Sequence, residues 1–148
     1  MFSGRSLHTL DAKGRVSIPA GFRVHLIGEG EQAPTLTHGE AACLTLYPHE
    51  SWEDFRDFLE NLPRADPNSR RLRRYYFVGA TQCPIDKQGR MLIPPALREH
   101  AGLEREVVIA GVGDVIEIWD KARFDEDLQH TQSHLDEISS VVTGWERK

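Results

Sequence analysis

Apolar positions in this chain fall into short alternating runs and one long helical stripe. Val16 and Ile18 alternate as strand residues do, and Met91 and Ile93 repeat the pattern. Pro19 and Pro94 end these two runs, and each can open a helix at its first turn. The helix expected over Pro95–Ala101 stops at Gly102, a suitable C-terminal cap. Leu44, Leu46 and Tyr47, then Val107–Ile109, then Ile116–Trp119 predict further strands, rich in β-branched and aromatic residues. Trp52, Phe55, Phe58, Leu59 and Leu62 recur at helical spacing up to Pro63, with Ser51 and Asp54 at capping-box spacing ahead of them. Asp66, Pro67 and Asn68 predict a turn and cap leading into a helix over Ser69–Val78. Leu128, Leu135, Ile138, Val141 and Val142 mark a C-terminal amphipathic stretch suited to a core or a subunit interface.

The strand runs belong to a longer echo. DAKGRVSIPAGFR from Asp11 recurs as DKQGRMLIPPALR from Asp86, 75 positions later. LTLYPHESWEDF from Leu44 recurs more loosely as IEIWDKARFDED from Ile116, offset by 72. Each copy therefore runs motif, short helix, loop, strand and helix, and duplication of this size predicts two similar units about a pseudo-twofold axis. We expect a first half over 1–62, a helical connector over 63–79, a second half over 80–124 and a helical tail over 125–148. Gly14 and Gly89 supply the positive φ of a tight connection, so a β-hairpin is expected to turn at each motif.

Charge sharpens the picture. The 148 residues carry a formal net charge of −5, which argues against a polyanionic partner until its distribution is considered. Residues 1–25 hold Arg5, Lys13, Arg15 and Arg23 against Asp11, a local +3. Residues 64–74 hold five arginines against Asp66, a local +4, whereas residues 104–148 hold eleven acids and five bases. Arg70, Arg71 and Arg74 could line DNA, face water, or pair with those acids across a subunit interface, and the last is the reading we prefer. No apolar run approaches a membrane span, and the start MFSGRSLH has no secretory apolar stretch. Cys43 and Cys83 show neither metal nor disulfide spacing and read as reduced structural thiols.

Catalytic constellations find no support. His130 and His134 have zinc-compatible spacing, yet position 131 is Thr where a HExxH motif needs Glu. Gly28–Gly30 and Gly111–Gly113 complete no dinucleotide or phosphate loop and read as turns. No catalytic residue, metal or cofactor is expected. The duplicated loop offers other chemistry: Lys13, Gly14 and Arg15 bring two cations and bare N–H groups toward a phosphate, and Lys87, Gly89 and Arg90 do so in the second copy. Arginine can also read guanine O6 and N7 in a major groove, which admits a two-stranded ribbon. Asp11 and Asp86, each four residues ahead of its arginine, could hold that arginine in one rotamer or cap the loop N–H groups. A charged surface hairpin would carry the same residues once; their recurrence favours a contact role.

These residues resemble the MraZ family, within the AbrB-like swapped-hairpin barrels. The similarity rests on MFSGRSLHTLDAKGRVSIPAGFR, DKQGRMLIPPALREHAGL and LTLYPHESWEDF, covers the chain to about Phe124, and includes two DxxxR motifs. It implies an α+β fold in which two tandem AbrB-like halves weave one swapped-hairpin barrel with flanking helices. It also implies a homo-oligomeric ring and a cytoplasmic, nucleoid-associated regulator. Such a regulator binds short G-rich direct repeats in double-stranded DNA and represses the division and cell-wall gene cluster, its own gene included. Carried over by position, the contacts are Lys13, Arg15 and Arg90, with Lys87 less directly matched because Gln88 stands where the first copy has Lys13. Arg23 and Arg98 take equivalent supporting places on the short helices. A protein-interaction or antitoxin-like module on the same barrel is the competing reading, with residues 125–148 as the tail that would bind a toxin.

Overall fold

The two copies of the repeat interleave: each keeps one hairpin of its own, and four further strand pairings cross between the copies. The computed structural model describes residues 1–27 and 32–142. In the first copy β1 (Arg5–Thr9), β2 (Arg15–Ser17) and helix α1 (Ala20–Leu26) are followed by β3 (Thr35–His38), β4 (Leu44–Tyr47) and α2 (His49–Glu60). Helix α3 (Pro67–Gly79) leads into β5 (Thr81–Gln82), β6 (Arg90–Leu92), α4 (Pro95–Ala101), β7 (Glu106–Gly111) and β8 (Ile116–Asp120). Helices α5 (Lys121–Ser133) and α6 (Leu135–Ile138) and a 3₁₀ turn over Ser139–Val142 complete the described chain.

Six strands form one sheet in the order β1-β7-β8-β4-β3-β5, and β2 pairs with β6 as a separate two-stranded ribbon. The expected hairpins form only at their turns, the second with an isolated antiparallel bridge between Ile85 and Met91. Asp11 N–H does donate to Arg15 O at 2.9 Å, closing the turn, but β1 ladders with β7 and β2 with β6. Local turn chemistry sets where the chain reverses, and not which strand receives each ladder. The fold is α+β, with a mostly antiparallel six-stranded ladder that ends at β1 and β5 without closing and a separate two-stranded ribbon.

The pseudo-twofold axis can be located by register. Val16 faces Met91 in the ribbon, and these are equivalent positions of the 75-residue repeat. Thr45 faces Glu117 where β4 meets β8, and these are equivalent positions of the 72-residue repeat. The axis passes through both pairs. The core lies between them: Val16, Met91, Ile18 and Ile93 are 2% exposed or less and cluster with Leu44, Leu46, Ile116 and Ile118.

Several helix boundaries differ from expectation. Pro48 starts α2 at His49, so Ser51 lies inside the helix and its hydroxyl donates to Asp114 O at 3.3 Å instead of capping. Helix α3 begins at Pro67, because the Asp66 carboxylate caps Asn68 N–H. Strand β3 went unrecognised. Its residues Thr35 and Thr37 are polar yet buried, and the Thr37 hydroxyl finds its partner in Tyr76 O at 2.6 Å on α3. Leu135, Ile138, Val141 and Val142 lie on the surface of the chain and not in its core, and the C-terminal stretch breaks at His134. The turn expected at Gly28–Gly30 lies outside the described residues, while Gly113 (φ +94°) does turn β7 toward β8. No described helix is long and apolar enough to cross a membrane.

The ribbon makes a paired prediction. Met91→Ala should lower stability by about 2–5 kcal/mol, because it opens a hole on the axis, whereas Leu92→Ala should stay within about 0.5 kcal/mol. Chemical denaturation of the two variants checks it; equal losses would place the ribbon differently.

Candidate functional site

Alternation along β2 and β6 divides the ribbon into two faces. Val16 and Met91 point into the core. Arg15, Ser17, Arg90 and Leu92 share the opposite, outward face. Arg15 pairs with Leu92 and Ser17 with Arg90, so the two arginines are diagonal neighbours, roughly 7–8 Å apart at that spacing. Ser17 and Leu92 were missed as face residues, although the alternation in Arg15-Val16-Ser17 and Arg90-Met91-Leu92 carried the signal.

Each arginine is held by the aspartate that opens its turn. One Asp11 carboxylate oxygen, Oδ1, accepts from Lys13 N–H and Arg15 N–H, both at 2.9 Å. The other, Oδ2, accepts from Arg15 Nε at 2.7 Å. Gly14 N–H donates to Asp11 O at 3.0 Å, and Gly14 adopts φ +84°, which explains the glycine. The second loop repeats each contact. Asp86 Oδ1 accepts from Gln88 N–H and Arg90 N–H at 2.9 Å, its Oδ2 accepts from Arg90 Nε at 3.3 Å, and Gly89 has φ +79°. The aspartates thus cap the loop amides and fix the arginine rotamers together, joining the two roles that the spacing had left open.

Electrostatics follow from these bonds. Backbone and side-chain donation from Arg15, with help from Lys13 N–H, holds the Asp11 carboxyl down at about 2. Donation from the Arg90 backbone lowers Asp86 as well. Both carboxylates therefore stay charged across the neutral range, and Nε of each arginine is committed to them. The two loops differ at the tip. Among the described residues the terminal amino groups of Arg15 make no hydrogen bond, whereas Arg90 Nη2 donates to the Gln88 side-chain oxygen. Lys13 and Lys87 stand exposed on the loops.

The remaining candidates lie elsewhere. Arg23 and Arg98 sit on α1 and α4, half-buried against the loops. Arg70 Nη1 donates to Arg64 O at 2.8 Å and Arg73 Nη1 to Leu62 O at 2.9 Å. Among the described residues none of the α3 arginines pairs with an acid within the chain. The His130 and His134 rings stack 4.4 Å apart. Cys43 and Cys83 are free and buried, and burial pushes their thiols up to about 12 and about 11.

Asp11 and Asp86 give a titration prediction. A carboxylate with a depressed folded-state pKa adds stability above its unfolded value, and that stability drains as pH falls through the folded pKa. Carbon-detected NMR should place the Asp11 midpoint near 2 and that of Asp86 below 3.8, with loop order lost only beneath that window. An Asp11 midpoint at 3.8 would mean that the loop bonds do not hold in solution.

Comparison with known proteins gives a match in two parts. Residues 1–75 and 76–140 match the family model described as "MraZ protein, putative antitoxin-like". A curated relative from Lachnoclostridium phytofermentans, named transcriptional regulator MraZ, is 44% identical over 143 residues, covering 97% of this chain and 96% of that protein. One of the same name from Thermomicrobium roseum is 47% identical, covering 80% of this chain and 81% of its own. Another from Moorella thermoacetica is 38% identical and covers 99% of each.

Proposed function

The chain belongs to the MraZ family, and on that premise we propose that it is a sequence-specific DNA-binding transcriptional regulator whose reading head is the β2–β6 ribbon. One observation carries the reading: cross-copy pairing sets both DxxxR arginines on one outward face as diagonal neighbours. A two-stranded ribbon fits a major groove, and the terminal amino groups of an arginine can bond guanine O6 and N7 together. Asp11 and Asp86 hold the arginines in place before DNA arrives, which lowers the ordering cost of binding.

In this reading Arg15 and Arg90 read bases, Lys13 and Lys87 hold phosphates, and Gly14 and Gly89 let the backbone approach. The target is a set of short G-rich direct repeats upstream of the division and cell-wall gene cluster. The outcome is repression, including of the chain's own gene. Copies join in a homo-oligomeric ring that aligns many ribbons, and the regulator works in the cytoplasm on the nucleoid. Local charge reconciles this with the net −5, because counterion release depends on the phosphates neutralised at the contact face. Tethered ribbons on repeated sites gain further by effective concentration, about 10²-fold or more. No catalysis belongs to this reading; the curated relatives are named regulators.

Mobility shifts on DNA upstream of the chain's own gene test the reading. Arg15→Ala should weaken binding by about 1–3 kcal/mol and relax base preference, while Lys13→Gln should weaken all sequences alike and reduce the salt slope by about 1. Unchanged binding by Arg15→Ala would overturn the assignment. Footprinting that protects no evenly spaced repeats would favour the protein-interaction reading.

A further inference from the structure

Arg23 and Arg98 are equivalent residues of the repeat, and each meets the loop glycine of the other copy. A Cβ built on Gly14 would stand 2.7 Å from Arg98 Cζ. One built on Gly89 would collide with the Arg23 guanidinium, 2.6 Å from its Cζ. Each guanidinium thus lies against the opposite loop where a side chain on its glycine would stand, and Gly14 and Gly89 are buried although their loops are exposed. The backbone shows the same crossing: Ile18 N–H donates to Gly89 O at 2.8 Å, and Ile93 N–H to Gly14 O at 2.9 Å. Ile18 and Ile93 directly precede the prolines that cap α1 and α4, so strand end and arginine reach one glycine together.

Among the described residues neither arginine makes a side-chain hydrogen bond. Nε of Arg23 and of Arg98 is sealed from solvent without a hydrogen-bond partner. Neither side chain forms an ion pair among the described residues. Leaving a charged donor unpartnered carries a desolvation cost, which contact with the loop must offset. Arg23 also lines, with Asp86 and Lys87, an open cleft beside the second loop.

We propose that Arg23 and Arg98 are crossed positioning residues. Arg98 sets the geometry of the Asp11–Arg15 loop, and Arg23 sets that of the Asp86–Arg90 loop. Each loop glycine is then required twice: by its positive φ, and by the guanidinium that occupies the place of a side chain. Arg→Lys keeps the charge and stem but loses the flat plane, so it is the discriminating substitution.

Two measurements test the crossing. In the free protein, Arg98→Lys should shift the Gly14 amide resonance and leave Gly89 in place, while Arg23→Lys should do the reverse. Shifts at the same-copy glycine, or at neither, would overturn the proposal. If a lysine variant fails to fold, Arg98→Gln and Arg23→Gln are read in the same way. The second measurement rests on the regulator reading and uses double-mutant cycles on operator DNA. Arg98→Lys should cost about tenfold in affinity in the wild-type and Arg90→Lys backgrounds, but under about threefold in Arg15→Lys, because contacting side chains couple and distant ones add. Arg23→Lys should mirror this, with its loss muted in Arg90→Lys. Equal losses in every background would reject crossed coupling. Should Arg15→Ala itself leave binding intact, the regulator reading fails while the amide shifts still decide where each arginine acts.

Discussion

The structure depends on a chain pairing with its own repeat at two points. Val16 meets Met91 on the ribbon, and Thr45 meets Glu117 on the sheet, each pair being one position seen twice. Antiparallel pairing about such a point is self-complementary, like an isologous dimer interface. Once those registers hold, β1 must reach β7 and β5 must reach β3, because each strand emerges beside the other copy. Neither copy can complete its own sheet. The core is accordingly shared, with Val16, Ile18, Met91 and Ile93 buried in one cluster.

The outward chemistry is a by-product of that inward constraint. Period-two alternation sends Arg15 and Arg90 out because Val16 and Met91 go in. The aspartates then finish the arrangement with a few short bonds, capping amides and gripping arginines with the same carboxylate. A loop so internally bonded needs little from its surroundings except a floor, and Arg23 and Arg98 lie where that floor is. Net charge says almost nothing about such a site, since eleven acids fall in the last 45 residues of the sequence, outside both loop motifs.

What could be read from residues alone was local. The turns at Gly14 and Gly89, the helices opened by Pro19 and Pro94 and the stop at Gly102 depend on near-neighbour sterics, and all were legible. Strand partnership was not, because β1 is no worse a partner for β2 than β6 is until the whole chain is folded. Strand β3 stayed hidden for another reason: Thr37 is buried with a bond to Tyr76 O, so its hydrophilicity conceals its burial. The outward place of Ser17 and Leu92 was visible in the alternation but required knowing that Val16 and Met91 share a core. The stacking of Arg98 on Gly14 connects residues 84 positions apart, beyond any local pattern.

Fusing two copies in one chain also frees them to differ, and the Gln88 side chain shows where they have. It occupies one amino group of Arg90, while Arg15 has no such neighbour and is flanked by Lys13 instead. A reading head with two unlike arms has a front and a back. Turned end for end, it does not present the same groups, so a duplex bound to it as proposed would be read in one direction. Under that proposal its sites would run head to tail, where a strictly symmetric dimer would ask for twofold-related, inverted arms.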